Sequence, residues 1–245
     1  MGRQDIHNSD LPILCRSCEV RHHGLCGALD SEQLLALSRH TRIVRREAGS
    51  ELIADDSDVT TYANIMHGVV KLTKMLEDGR QQVVGLQFAP DFLGRIFGSQ
   101  NTLSAEAASD VDLCRIPRAA LEAMLEDNPA LERRLLEQAL RELDNARDWM
   151  VTLGRKTAGE KVASFLHLIA THINPVAETG RKSGDHEGAQ FDLPLSRSDI
   201  ADFLGLTIET VSRQLTKLRK EGVITVVNNR TFIIPDLARL EKYCG

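Results

Sequence analysis

The 245-residue sequence has no long apolar run and no excess of positive charge. No stretch approaches the roughly 18 uninterrupted apolar residues of a membrane-spanning helix, and the first residues lack the cationic and apolar regions of a signal peptide. The net charge of -5 argues against a surface that coats nucleic acid without specificity, because such binding needs an excess of Lys and Arg. We therefore expect a cytoplasmic protein without membrane contact, in which any nucleic-acid site is a local basic patch.

The sequence also lacks the motifs of common enzyme chemistry. It has no glycine-rich phosphate loop between a strand and a helix, no nucleophile beside an evident base, and no second cysteine motif for electron transfer. A redox enzyme is therefore disfavoured. We predict no catalytic residues and no enzyme activity.

Cysteine is sparse, but its five residues are unevenly placed. The segment CRSCEVRHHGLC holds Cys15, Cys18 and Cys26, whereas Cys114 and Cys244 lie far along the chain. An odd number of thiols in a reducing compartment is poorly explained by disulfides, so metal binding or redox chemistry is favoured. Three closely spaced thiols are one short of the four ligands that a tetrahedral metal site requires.

Short β-rich runs alternate with turn clusters between about Thr41 and Ile116. The runs are TRIVRR, SELIA, TYANIMHGVVKLTKM, QQVVGLQFA and DVDLCRI, and clusters such as ADDSD and EDGR separate them. Closely spaced strands with such turns predict a small antiparallel barrel or roll. Pro117 then opens a helix through PRAALEAMLED.

A long helix is predicted next, with Asn128 as its cap, Pro129 in its first position and Leu153 near its end. Its apolar residues recur at intervals of three and four and form one narrow stripe. At about 1.5 Å per residue the helix is about 37 Å long, which is more than a small roll needs, so we expect it to pair with a second copy. The alternative is that the stripe packs on the roll. The predicted dimerisation residues are Leu135, Ala139, Leu143, Ala146, Met150 and Leu153.

A third helix, TAGEKVASFLHLIATHI, is stopped by Asn174-Pro175. The following stretch from Val176 to Gln190 is polar and has no periodicity. It is predicted to be an exposed loop within the second domain.

The segment LSRSDIADFLGLTIETVSRQLTKLRKEGVI carries the strongest fold signal in the sequence. Ser196 caps a first helix, with Asp199 in the capping-box position, and Gly205 breaks that helix. Thr207 caps a second helix, which Gly222 ends. This pattern predicts a helix-turn-helix whose second helix enters the major groove of DNA. VITVVNNRTFIIP then alternates as two short strands and predicts a wing.

Three polar residues share one face in the first turns of this second helix, where base edges are met. Arg offers paired donors to guanine, and a carboxylate accepts a hydrogen bond from the cytosine amino group. Glu209, Ser212 and Arg213 are therefore the predicted base-reading residues; the alternative is that Glu209 and Arg213 form only a surface pair. The predicted phosphate contacts are Thr207, Lys217, Arg219 and Lys220.

A β-roll, a long pairing helix and a winged helix-turn-helix in this order resemble the CRP/FNR superfamily of bacterial transcription regulators over nearly the whole chain. The resemblance implies an α+β protein with a roll like that of cyclic-nucleotide-binding domains. The expected parts are a cysteine-rich cluster-binding segment at 1–30, the roll at 31–127, the dimerisation helix at 128–156 and the DNA-binding domain at 157–245.

Members of the superfamily that respond to cyclic nucleotides hold the phosphate with a Gly-Glu pair and a downstream Arg. The corresponding stretch reads Phe92-Leu93-Gly94-Arg95-Ile96, with Arg95 in place of the Glu. We therefore do not expect a cyclic nucleotide to be the signal.

The pattern of Glu209, Ser212 and Arg213 resembles the FNR branch, which reads TTGAT-type half-sites. The resemblance implies that Glu209 and Arg213 contact the central G·C pair and that Ser212 contacts a neighbouring thymine. A homodimer would then bind a near-palindromic double-stranded operator of the TTGAT-N4-ATCAA type. Activation implies contact with RNA polymerase, for which the turn at 77–79 and the loop at 176–190 are candidate surfaces.

The FNR branch binds a 4Fe-4S cluster through three amino-terminal cysteines and a fourth from the roll. The spacing C-x2-C-x7-C is similar to that of FNR-type regulators of alphaproteobacteria, and Cys114 lies where the fourth ligand is expected. The resemblance therefore implies Cys15, Cys18, Cys26 and Cys114 as ligands of an oxygen-sensitive cluster, whose loss weakens the dimer and its DNA binding. Cys244 has no such counterpart and is expected to be a free, solvent-facing thiol.

Two alternatives remain open for the cysteines. Zinc accepts three thiolates and an imidazole as readily as four thiolates, so the three amino-terminal cysteines with Cys114, His22 or His23 would make a structural zinc site. In the other alternative the cysteines are vestigial and the regulator responds to a different signal.

Overall fold

The computed structural model describes residues 13–16, 18, 20–173, 188–228 and 230–245. The chain divides into two units, one of residues 1–74 with 84–144 and one of residues 75–83 with 145–245. None of the helices in these described ranges is long and apolar enough to cross a membrane.

Two four-stranded sheets confirm the predicted β-roll. The first sheet has the order β1 (Arg42–Arg46), β8 (Val111–Pro117), β3 (Thr61–His67) and β6 (Phe92–Leu93). The second has the order β2 (Glu51–Ile53), β7 (Ser104–Ala107), β4 (Val69–Met75) and β5 (Gln81–Phe88). Strands β6 and β7 were not predicted, because β6 has two residues and the sequence SAEA of β7 has low β-propensity.

The two faces of the first sheet pack against different partners. Ala63, Ile65 and Leu113 belong to a core that also includes side chains of β4 and β7 in the second sheet. Tyr62 and Ile116 point to the opposite face, since side chains alternate along a strand, and pack with Leu residues of the amino-terminal helices. The sheet therefore has an inner face within the roll and an outer face covered by helices.

Helices of very different length cover this outer face. The amino-terminal ones are α1 (Ile13–Arg16), α2 (Val20–His23), a 3-10 helix (Leu25–Ala28) and α3 (Ser31–Ser38), and α4 (Arg118–Glu126) follows the last strand of the roll. Asp30 caps α3 in a capping box with Gln33. Leu25 and Leu34 are buried in the outer-face core.

Helix α5 spans Pro129–Arg155, two residues beyond the predicted end. Its predicted cap is confirmed, because the Asn128 Oδ1 accepts a hydrogen bond from the Leu131 backbone N–H at 3.0 Å. Leu135 packs partly against the outer-face core, so this member of the predicted stripe is engaged within its own chain. The large apolar side chains that α5 leaves exposed are Leu136, Leu140, Leu143, Met150 and Val151.

The second unit holds the predicted helix-turn-helix and wing. Its elements after α5 are α6 (Ala158–Ile173), β9 (Ala189–Asp192), α7 (Arg197–Leu204), α8 (Ile208–Lys220), β10 (Thr225–Val227), β11 (Thr231–Ile234) and α9 (Leu237–Glu241). The three strands form one antiparallel sheet in the order β10-β11-β9.

Strand β9 corrects the predicted loop from Val176 to Gln190. Ala189 and Gln190 belong to the strand, because Ala189 pairs with Ile234 and Phe191 pairs with Phe232, and these pairs bury Ala189 and Phe191. The earlier part of that loop, 176–187, lies outside the described residues.

The caps of the helix-turn-helix are those predicted. Ser196 Oγ accepts from the Asp199 backbone N–H at 3.1 Å, and Asp199 Oδ2 accepts from the Ser196 backbone N–H at 3.1 Å. Gly205 ends α7 with a φ of 61°, a conformation that favours glycine. Thr207 caps α8, because its Oγ1 accepts a hydrogen bond from the Thr210 backbone N–H at 3.2 Å.

Candidate nucleic-acid interface and thiol site

Helix α8 separates a buried face from an exposed polar face. Val211, Leu215 and Leu218 are buried in the second unit. Glu209, Ser212 and Arg213 are all exposed, in the first two turns of the helix. The structure therefore presents the three predicted base readers to solvent on one side of a helix that its apolar face holds in place.

The charge state of Glu209 suits base reading. Its own backbone amide and the hydroxyl of Thr207 lower the pKa of the Glu209 carboxyl, so that it is ionised at neutral pH. An ionised carboxylate accepts a hydrogen bond from a cytosine amino group.

Cations surround this polar face. Ser212 and Arg213 line a shallow surface depression with Thr216, Lys217, Lys220 and Glu221. Lys217 Nζ lies 4.0 Å from Glu221 Oε1, and the side chains of Arg219 and Lys220 are exposed. Thr207, the remaining predicted phosphate contact, is exposed at the amino terminus of α8, where helix N–H groups favour anions.

The predicted wing follows α8 as an antiparallel pair. Thr225 pairs with Ile233 and Val227 pairs with Thr231. Asn228 at the turn has a φ of 52°, the left-handed conformation that Asn tolerates better than most residues.

The four predicted ligand thiols come from two distant parts of the first unit. Cys15 lies in α1, Cys18 lies between α1 and α2, and Cys26 lies in the 3-10 helix. Cys114 lies on β8, with its side chain on the outer face of the sheet, as Ile116 two residues later. All four are half-buried, and none of them forms a disulfide.

The structure brings these four thiols within electrostatic range of one another. The pKa of Cys26 is raised to about 12, mainly by burial and to a smaller extent by the charges of Cys114, Cys18 and Cys15. Burial likewise raises the pKa of Cys114 to about 11, with smaller contributions from Cys18 and Cys15. Cys26 and Cys114 are therefore protonated at neutral pH unless a metal displaces the protons.

One cation lies close to the thiols. The Arg21 side chain is only 5% exposed, and its charge lowers the pKa of Cys15 and of Cys26 against the larger effect of burial. His22 and His23 have exposed side chains, and the His22 Nε2 lies 3.3 Å from Arg21 Nη2. Within the described ranges, no group of three or more His, Cys, Asp or Glu residues has the arrangement needed to hold a metal ion.

Cys244 is separate from this group. It was expected to face solvent, but it is half-buried. Its Sγ donates a hydrogen bond to the Leu240 carbonyl oxygen at 3.5 Å, and burial raises the pKa of the thiol. The expectation was wrong because the carboxy-terminal residues pack back on α6, where Ser164 Oγ donates to the Cys244 carbonyl oxygen at 3.4 Å.

A direct connection between the cysteine segment and α5 was not foreseen. The guanidinium of Arg134 on α5 donates to the His23 carbonyl oxygen at 2.6 Å and to the Gly24 carbonyl oxygen at 3.3 Å. The partners are 111 and 110 residues apart in the chain, and no local pattern in the sequence indicates the pairing.

Arg95, which stands where nucleotide-binding relatives carry a Glu, has an exposed side chain. The residue before it, Gly94, has a φ of 135° and approaches the Tyr62 ring so closely that a Cβ would lie 2.6 Å from Tyr62 Cδ1. The absence of a cyclic-nucleotide signal stays a prediction.

A capped helix-turn-helix with exposed Glu and Arg, a wing and a separate roll define a DNA-binding transcription regulator. Two family models match the chain: a Crp-like helix-turn-helix domain over residues 160–243 and a cyclic nucleotide-binding domain over residues 43–128.

Comparison with known proteins agrees with this class. The chain is 54% identical to a probable transcriptional activator of Rhizobium leguminosarum bv. viciae, over 99% of this chain and 98% of that one. It is 40% identical to the transcriptional activator protein FnrL of Cereibacter sphaeroides, over 94% of this chain and 92% of that one. The solved structure of FixK2 from Bradyrhizobium japonicum matches with a TM-score of 0.71 and 31% identity, over 84% of this chain and 98% of that one. The chain therefore belongs to the CRP/FNR superfamily of transcription regulators, and these relatives are regulators rather than enzymes.

Proposed function

We propose that this regulator is an oxygen-responsive activator that binds a 4Fe-4S cluster through Cys15, Cys18, Cys26 and Cys114. The observation that supports the proposal is that Cys26 and Cys114, from two distant segments, both neighbour Asn64: Cys26 Sγ lies 3.8 Å from its Nδ2, and Cys114 lies directly opposite it in the strand register. The charges of Cys15 and Cys18 also affect the pKa of both thiols. The similarity to FnrL gives independent support.

The residues at this site fit such a group chemically. Four cysteines are the complete protein ligand set of a cubane, and a cubane is larger than a single ion, so its thiolates stand farther apart than the ligands of one ion. The buried Arg21 supplies positive charge beside ligands that become negative when they lose their protons. When bound, the cluster supplies an oxygen-labile core that holds the amino-terminal segment and β8 together.

The contacts of Arg134 link the cysteine segment to α5, the predicted dimerisation helix. Because Arg134 holds the carbonyls of His23 and Gly24, any rearrangement of this segment acts directly on the first turns of α5. Leu25, next to Cys26, and Leu131 of α5 are fully buried in the same core. We infer that the segment and the start of α5 move together.

The exposed apolar residues of α5 are the surface through which we expect two copies to pair. An exposed apolar stripe along a helix is typical of an interface, and a twofold pair would place two copies of α8 about one DNA turn apart. Glu209 and Arg213 would then read the central G·C pair of each TTGAT-type half-site, and Ser212 a neighbouring thymine. Bound in this way, the dimer would contact RNA polymerase and activate genes in the absence of oxygen.

Iron analysis of protein purified without oxygen tests the ligand set. We expect the wild type to be brown and to contain about four iron atoms per chain, and Cys114→Ala to be colourless with little iron. Cys244→Ala is the matched control and should keep its iron, because Cys244 lies in the second unit and is not a predicted ligand. A colourless wild type that contains zinc, lost in Cys114→Ala, would contradict the cluster and support a structural zinc site.

The effect of oxygen on assembly is tested by the mass in solution. We expect oxygen-free protein to be a dimer that binds its operator, and air-exposed protein to shift toward the monomer. Equal masses and equal operator affinities in both conditions would contradict the proposed switch.

A further inference from the structure

A buried amide lies among the apolar side chains of the outer face of the first sheet. Asn64 on β3 is only 3% exposed and lies on the same face as Tyr62, two residues earlier on the strand. In the strand register Asn64 lies directly opposite Cys114 on β8 and opposite Phe92 on β6. Directly opposed side chains share a face and are neighbours, so Asn64 stands beside a predicted ligand thiol.

The amide also reaches a second ligand thiol from the other segment. Asn64 Nδ2 lies 3.8 Å from Cys26 Sγ, within hydrogen-bonding distance for sulfur. Its Oδ1 is buried and accepts no hydrogen bond from any described residue. Asn64 therefore stands between Cys26 and Cys114, which the chain brings from opposite sides of the outer-face core.

Packing alone does not account for an amide at this position. A leucine, which has the same branching and the same number of side-chain heavy atoms, would continue the apolar face formed by Tyr62, Phe92 and Ile116 and would bury no unpaired oxygen. A thiolate can only accept hydrogen bonds, so a metal-bound Cys26 requires the N–H2 end of the amide to face the sulfur. The apolar surroundings strengthen that hydrogen bond by excluding competing water.

We propose that Asn64 is a positioning residue that donates a hydrogen bond to the Cys26 thiolate in the cluster-bound protein and thereby sets the resistance of the cluster to oxygen. This inference rests on the proposed function. A hydrogen bond to a ligating sulfur stabilises the more negative, reduced state and so raises the reduction potential. A cluster held by Cys15, Cys18, Cys26 and Cys114 would supply the one electron that converts dioxygen to superoxide. A higher potential would make that transfer less favourable, and Asn64 would keep all its bonds.

The test compares Asn64→Leu with a second buried amide of the roll. Gln87 is 7% exposed and its Oε1 also lacks a partner among the described residues, but its Nε2 donates to the Phe92 carbonyl oxygen at 3.2 Å and not to a sulfur. Gln87→Leu is therefore a matched control for the loss of a buried amide. Both variants and the wild type are purified without oxygen and analysed for iron.

Two measurements then report on the hydrogen bond without any DNA-binding assay. One is the reduction potential by spectroelectrochemistry, and the other is the rate at which visible absorption bleaches in air-saturated buffer. We expect Asn64→Leu to keep its iron, to bleach about tenfold faster and to have a potential lower by about 59 mV, the one-electron equivalent of a tenfold change. Gln87→Leu should match the wild type in both.

The outcomes separate this inference from the proposed function. A wild type without iron would overturn the proposed cluster itself. An iron-loaded Asn64→Leu with the wild-type potential and bleaching rate would overturn only the role of Asn64. If thermal unfolding shows that Asn64→Leu is not folded, Asn64→Ala decides, because it removes the amide and adds no group to the core. A potential of Asn64→Ala at or above that of the wild type would overturn the role.

Discussion

Helix α8 and the cysteine segment are stabilised in opposite ways. Within its thirteen residues α8 has a buried apolar face and a cationic last turn, and Thr207 immediately before it supplies the cap. The helices α1 and α2 that carry or flank the cysteines have four residues each, too few to be stable alone. The residues that follow α2 contact residues far along the chain: Arg134 donates to the Gly24 carbonyl oxygen, Asn64 approaches Cys26 Sγ, and Leu25 is buried in the outer-face core.

This difference matches the work that each region is proposed to do. A helix that reads bases must present its side chains in one fixed arrangement, which local caps and core contacts provide. A segment that responds to a signal must change when a few distant contacts change, and such regions are drawn from the less stable parts of a protein. The long helix α5 has residues in both units.

The largest expected effect comes from Leu143 on α5, which is 44% exposed in the single chain. Leu143→Glu should raise the dissociation constant of the oxygen-free dimer by at least about 100-fold, because a twofold interface buries the residue from both copies and each buried leucine contributes about 1.5–3 kcal/mol. Analytical ultracentrifugation measures the constant. Asp148→Ala, on the other side of α5, should leave it unchanged; equal effects of the two substitutions would place the interface elsewhere.

Arg213 tests the locally stabilised region. Arg213→Ala should weaken binding to a TTGAT-type operator by about 10- to 100-fold, because a bidentate contact with guanine is worth about 1–3 kcal/mol, and should leave binding to a scrambled site little changed. Fluorescence anisotropy with both duplexes measures this. Arg219→Ala should instead weaken binding to both duplexes alike. It should also reduce the slope of the logarithm of the binding constant against the logarithm of the salt concentration by about one. If Arg213→Ala weakens binding to the operator and to the scrambled duplex equally, Arg213 is not a base contact.

Arg134 tests the dependence of the cysteine segment on distant contacts. Arg134→Ala removes two hydrogen bonds to backbone carbonyls, together worth about 1–3 kcal/mol, and should speed amide hydrogen exchange across residues 20–28 by about tenfold in protein without metal. Arg133→Ala is the control, since the Arg133 side chain is 81% exposed and its Nε pairs with Glu137 at 3.2 Å on the same helix. Unchanged exchange in Arg134→Ala would show that the core alone holds the segment.

Most of the DNA-binding unit could be predicted because its signals are local. The caps at Ser196 and Thr207, the turn at Gly205 and the exposed positions of Glu209 and Arg213 all follow from residues within a few positions of one another. Strand β9 escaped prediction because its pairing with β11 joins residues about forty positions apart.

Only the candidate ligands of the proposed cysteine site could be predicted, and their role as ligands stays a prediction. The spacing of Cys15, Cys18 and Cys26 is visible in the sequence, and Cys114 followed from a family resemblance. Asn64 and Arg134 carry no signal of their own, since an Asn within a strand and an Arg within a charged helix are ordinary. Their roles appear only when the register of β3 with β8 and the packing of α5 are known.

The complete burial of Leu25 has a consequence for recovery after oxidative damage. Leu25 precedes Cys26 and is fully buried in the outer-face core with leucines of α3, α4 and α5. A chain that had lost the proposed cluster would therefore keep Cys26 anchored near Cys114 instead of releasing it into an unfolded tail. Such a chain would remain a ready acceptor for new iron and sulfide, so that one regulator molecule would serve through repeated cycles of aeration without being synthesised again.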